Sequence, residues 1–171
     1  MKKEFGKALR SIFPRKLKEE FPDFTPFHEK SEMLGSGERA YYFQASKDVK
    51  IFLLLVPNIK APNDFTLEIG WSILNRFPKI NSKPYGRISS GRGEFKHPEC
   101  ILRLSQLWSN MDPWWEVAPY HFGTDWQKNY DPVPKEEAVA KVTPLVVDAI
   151  QKFKFFGHPY LLEFLASLAK S

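Results

Sequence analysis

The sequence predicts an α+β fold, with a mainly antiparallel sheet of about five to six strands flanked by an N-terminal helix and C-terminal helices. Three observations carry that expectation. Residues 49–56 are apolar at almost every position, as a strand covered on both faces should be. Residues 65–73 alternate strictly: Phe65, Leu67, Ile69, Trp71 and Ile73 point one way, and Thr66, Glu68, Gly70 and Ser72 the other. Towards both ends of the chain the apolar period becomes helical. Strands in one run with helices outside them define the α+β class, and their short connections favour antiparallel pairing.

Taken in order, residues 2–20 predict an amphipathic helix. Phe5, Leu9, Ile12, Phe13 and Leu17 share one face, while Lys3, Lys7, Arg10, Lys18 and Glu19 lie opposite. Pro14 interrupts it and predicts a kink or a restart. Residues 24–34 read as an edge strand, where Pro26 is tolerated because an edge residue can lack a ladder donor. Residues 35–38 form a turn, and residues 39–45, with Tyr41, Tyr42 and Phe43, a strand. Residues 46–48 are short enough for a hairpin into the central strand.

Residues 57–64 form the loop between the two organising strands. A one-residue slip of the second strand would turn five large apolar side chains to solvent, so its register is strongly specified. Residues 75–98 are loop-like and rich in Gly and Pro. Residues 100–108 return to alternation, and residues 114–117 predict a short last strand. Residues 119–134 are aromatic and irregular. From Lys135 onwards Ala138, Val142, Leu145, Val146, Ala149, Ile150 and Phe153 form a helical stripe, again with a proline inside, Pro144. Gly157 is placed to end that helix and Pro159 to begin another.

The whole chain, 1–171, is expected to form a single domain, and its length is enough for a real hydrophobic core. Aromatic residues make up 15%, including 15 Phe and 5 Trp, so that core should be bulky. The net charge of +5 admits nucleic acid or an anionic surface as a partner. Basic and acidic residues are nevertheless interleaved, as in Lys16-Leu17-Lys18-Glu19-Glu20, which favours an ordinary solvated surface. The lone cysteine, Cys100, excludes an intramolecular disulfide. No apolar run reaches the roughly 20 residues of a membrane-spanning helix. A soluble, cytoplasmic protein without a membrane partner is the expectation.

Four stretches together resemble a known family. They are Phe5-Gly6-Lys7-Ala8-Leu9, Phe65-Thr66-Leu67-Glu68-Ile69-Gly70, Ile101-Leu102-Arg103-Leu104 with the later Asp112-Pro113-Trp114-Trp115-Glu116, and Phe156-Gly157-His158-Pro159-Tyr160-Leu161. They look like the N-terminal helix, the apolar-x-apolar-Gly strand, the Arg-containing strand with its Trp-Trp motif, and the closing helix of the domain of unknown function 4304 family. The resemblance covers most of the chain, from about residue 5 to residue 165. It implies a small, mostly bacterial α+β protein and assigns no activity.

Chemistry-bearing groups are sparse. His97 and Cys100 stand three apart, but His28, His121 and His158 are isolated, so no paired zinc spacing exists and neither a metal nor a cofactor is expected. Cys100 beside His97 or His121 would serve as a nucleophile only if exposed, and its strand position predicts a buried thiol. Glu68 and Arg103 share the less apolar side of their strands and, with Glu116, would define an enzyme cleft if they converge. The basic, Gly-rich stretch with Arg87, Arg92 and Lys96 would suit nucleic acid or another anionic ligand, though it lacks a phosphate-loop spacing. Tyr120, Trp126 and Tyr130 lie in the irregular aromatic segment and are the candidates for an exposed recognition surface. A non-enzymatic protein that engages a protein partner through residues 110–130 and 75–98 is the leading functional expectation. An anionic-ligand binder and an enzyme are the alternatives.

Overall fold

The strand that is apolar on both faces does lie inside a sheet. In the computed structural model, which describes residues 1–29, 31–58, 63–79, 95–109 and 111–170, the chain begins with helix α1 (Lys3–Glu20). Strands β1 (Thr25–Pro26), β2 (Arg39–Gln44), β3 (Lys50–Pro57), β4 (Asn63–Ser72), β5 (Glu99–Arg103) and β6 (Trp115–Ala118) follow. Helices α2 (Lys135–Lys152) and α3 (His158–Leu168) close the chain. The sheet runs β1-β2-β3-β4-β5 with every pair antiparallel. β6 adds to the same edge of β4 as β5 does, further along that long strand: Phe65 pairs Trp115, whereas Glu68 pairs Arg103.

The odd positions of β4 build the main core. Phe65, Leu67, Ile69 and Trp71 are fully covered and join Leu9, Phe13 and Leu17 of α1, Val142 and Val146 of α2, and Phe164 of α3. Trp71 stacks on Phe164 with centroids 4.3 Å apart, and its Nε1–H donates to His97 O at 3.0 Å. The buried indole therefore satisfies its donor. α1 and α2 lie side by side and run in the same direction. Glu4 feels the charge of Lys135 at one end, and Lys154 pairs Glu20 at 2.7 Å at the other.

Alternation predicts one buried face on β4, and here the structure goes further: Thr66, Glu68, Gly70 and Ser72 are buried too. On that side a second, smaller core gathers Phe27, Ala40, Phe52, Leu54, Val56, Phe77 and Ile101. Gly70 has a steric reason to be glycine. A Cβ there would stand 2.2 Å from Cys100 O, on the backbone of the neighbouring strand.

Several boundaries differ from expectation for physical reasons. The edge strand is only two residues long. Phe27 still donates its N–H to Ala40 O at 2.9 Å, while its ring buries against Phe52 and Phe77. The strand expected over 100–108 stops at Arg103, because Leu104 turns into the core at the start of a 3-10 turn, Leu104–Leu107. α1 and α2 run through Pro14 and Pro144 without a break. The carbonyls these prolines leave without a donor belong to Arg10 and Ala140, both exposed, where water can take the donor's place. Gly157 does not end a helix. It keeps helical angles inside a π turn, Phe153–Gly157, that leads directly into α3. Its missing side chain makes room for Leu104 and Phe153, which a Cβ would meet at 2.7 and 2.6 Å.

Candidate functional site

Register brings Glu68 and Arg103 together as direct cross-strand partners. Both side chains are nearly closed to solvent, at 2% each, and Arg103 Nη2 stands 3.6 Å from Glu68 Oε1. Arg103 Nη1 lies 3.2 Å from Asp112 Oδ2, and the guanidinium sits 4.8 Å over the Trp114 ring. Asp112 is itself fixed, accepting from Ser105 Oγ and from Trp114 Nε1–H. The Asp-Pro-Trp turn thus folds back over the Arg-containing strand and covers the guanidinium. The cluster links β4, β5 and the turn: the Glu68 carboxylate is closed to solvent, and the half-exposed Asp112 carboxylate is engaged by Arg103, Ser105 and Trp114. Glu116 is elsewhere: it is exposed on β6, opposite Asp64. The three residues of the expected cleft therefore do not meet.

Asp64 is the unusual carboxylate. Its Oδ1 is closed to solvent and has no hydrogen-bond partner among the described residues. Burial pushes its pKa up, the facing Glu116 adds to that, and the hydrogen bond from Asn58 opposes it. At the other end of the same face the balance reverses for Glu99. Burial pushes that carboxyl up, but hydrogen bonds from Arg76, Ser72 and the Lys79 N–H, with the charge of Arg76, outweigh it and hold the pKa below the ordinary value.

Cys100 is half-buried against the main core. Among the described residues no three His, Cys, Asp or Glu side chains are grouped to hold a metal ion, and no helix is long and apolar enough to cross a membrane. Arg87 and Arg92 lie outside the described residues. Lys96 is exposed on a recess of about 370 Å³ that it shares with Ile73, Phe95, His97, Pro98, Ser167 and Leu168.

The aromatic segment places large side chains in water on an ordered support. Gly123–Tyr130 is a 3-10 run, entered through Gly123 at φ 62°, a left-handed angle suited to glycine. Asn129 is buried and ties the segment shut. Its Nδ2 donates to His121 O at 2.7 Å and to Trp126 O at 2.8 Å, and its Oδ1 accepts from His121 N at 2.9 Å. On this clasp Phe122, Trp126 and Tyr130 are 79%, 50% and 72% exposed. Tyr120 is half-buried, edge-on to Phe122 at 4.7 Å, and Trp126 is edge-on to Tyr130 at 5.6 Å.

Sequence reasoning expects Tyr120, Trp126 and Tyr130 in solvent; Trp126 and Tyr130 are, Tyr120 is half-buried against Phe122, and the exposure of Phe122 and the role of Asn129 were missed. The available signal was the Phe-Gly step followed by an Asn six residues on, a turn composition without periodicity. Phe155 and Phe156 were missed as well, because the π turn swings them off the expected helical face. Phe155 is exposed, and Phe156 lies tilted against Trp108 at 5.2 Å beneath Lys152.

Fold and site together define an α+β protein with an ionic clamp between β4 and the end strand β5, and a clasped, solvent-facing aromatic segment. No family model, curated protein or solved structure matches the chain.

Proposed function

We propose that this is a non-enzymatic binding protein that engages a protein partner through its 120–130 segment. One observation carries the reading: Phe122, Trp126 and Tyr130 are held in solvent by the Asn129 clasp instead of folding onto the core. Aromatic side chains kept exposed on an ordered loop offer a partner large contact area with little left to order on binding. The burial of Glu68 and Arg103 and the separate position of Glu116 favour binding over catalysis.

The resemblance to the domain of unknown function 4304 family belongs to the same proposal. The stretches that carry it fall on α1, β4, β5, the Asp112–Trp114 turn with β6, and the π turn entering α3, which are the elements that build the clamp and the core. The test is affinity capture with the full chain, comparing wild type with Trp126→Ala/Tyr130→Ala. Loss of the specifically retained protein, with the Tm unchanged, is the expected outcome. Retention of the same protein by the double variant would sink the proposal.

A further inference from the structure

The charge of α1 indicates what kind of partner this surface fits. Every acidic residue of the helix is already engaged: Glu4 with Lys7 at 2.7 Å, Glu19 with Lys16 at 2.6 Å, and Glu20 with Lys154 at 2.7 Å. Lys3, Arg10, Arg15 and Lys18 are exposed and form no ion pair among the described residues. Spacings of seven and eight residues bring Lys3, Arg10 and Lys18 round to one side of the helix, and Arg15 stands beside Lys18. The row spans about 22 Å at 1.5 Å per residue. It leads to the aromatic segment, because Lys2 Nζ donates to Lys128 O at 2.9 Å and so joins the start of α1 to the 3-10 run.

We infer that α1 and the 120–130 segment form one continuous docking surface, and that its partner presents an acidic protein face. The inference rests on the partner-binding reading above. The free cations attract carboxylates, while Trp126 and Tyr130 supply the apolar anchor beside them. A nucleic acid fits less well. The two rings are turned edge to face against each other, not splayed to receive bases.

The test uses fluorescence anisotropy with the full chain. The probes are a labelled Glu-rich helical peptide with Phe anchors, the same peptide with Gln for every Glu, and a single-stranded oligonucleotide of matching charge. The acidic peptide should bind about tenfold or more tightly than its Gln version. Lys3→Gln/Arg10→Gln/Arg15→Gln/Lys18→Gln should remove that advantage, and exchanging Lys for Arg and Arg for Lys at the same positions should keep it. Gln is a good helix former, so the neutral variant should keep the wild-type Tm.

Equal binding of the two peptides, binding of neither, an unaffected neutral variant, or tighter binding of the oligonucleotide would each overturn the inference. If the inference fails while Trp126→Ala/Tyr130→Ala still abolishes capture, the aromatic surface stands and only its acidic partner is removed.

Discussion

Arg103 is a charged residue held inside the fold. It sits between Glu68 and Asp112, with its guanidinium against Trp114, at the point where β5 leaves the sheet. Removing it alone strands a buried carboxylate, which costs about 3–5 kcal/mol in comparable cases, whereas replacing both partners with apolar groups of similar size costs far less. Chemical denaturation should therefore show Arg103→Met strongly destabilised and Glu68→Leu/Arg103→Met much closer to wild type. Additive losses would mean that the clamp is not the unit described. Asp64 carries the opposite sign. Its pKa is raised in the folded state, so its ionised form weakens the fold above that pKa, and the penalty vanishes once pH falls below the ordinary value of about 3.8. Asp64→Asn should accordingly raise the Tm at neutral pH and show no advantage below that value. His158, packed between Phe21 and Phe153, has its pKa lowered by burial. Folding then favours the neutral ring. Stability is full above the ordinary value of 6.5, falls as pH drops from there through the lower folded pKa, and levels off beneath it. His158→Gln should flatten that part of the Tm–pH curve.

At the scale of elements, β4 is where composition and structure diverge most instructively. Its alternation correctly places Phe65, Leu67, Ile69 and Trp71 in the core, and the all-apolar β3 is central as read. Alternation also implies a wet even face, and that implication failed because periodicity cannot see pairing. Glu68 is buried because Arg103 arrives opposite it, and the register that aligns them depends on residues more than thirty positions away. The prolines of α1 and α2 misled for a related reason. Their cost depends on where the freed carbonyl points, and Arg10 and Ala140 face water. The aromatic segment was legible as exposed but not as ordered, since its order comes from one asparagine making three hydrogen bonds. Asn129→Ala leaves those backbone groups to water and should speed amide exchange across 121–130 while leaving the sheet protected. Partner capture should weaken with it. Unchanged exchange would show that the clasp does not order the loop. Gly70→Ala should be the costliest of the small substitutions, on the order of 1–3 kcal/mol or more, because the obstruction is Cys100 backbone and not a movable side chain.

Across the whole molecule, three helices pack on one face of the sheet and a smaller aromatic core covers the other. The outward surfaces that remain are unequal: the cation row of α1, the clasped aromatics beside its first turn, and the Phe155–Phe156 corner at the π turn. The parallel placement of α1 against α2 has a consequence for how the chain is made. Glu20 and Lys154, which meet at the far end of that helix pair, are separated by 134 positions. During synthesis α1 emerges long before the helix that completes its bed, with Phe5, Leu9, Ile12, Phe13 and Leu17 uncovered on one side. Contacts this distant in sequence close slowly, and an apolar helix face kept waiting is open to aggregation. The nascent chain should thus depend on chaperones up to the release of α2, and ribosome-bound chains truncated before Lys135 should be far more protease-sensitive in α1 than chains carried past Lys154.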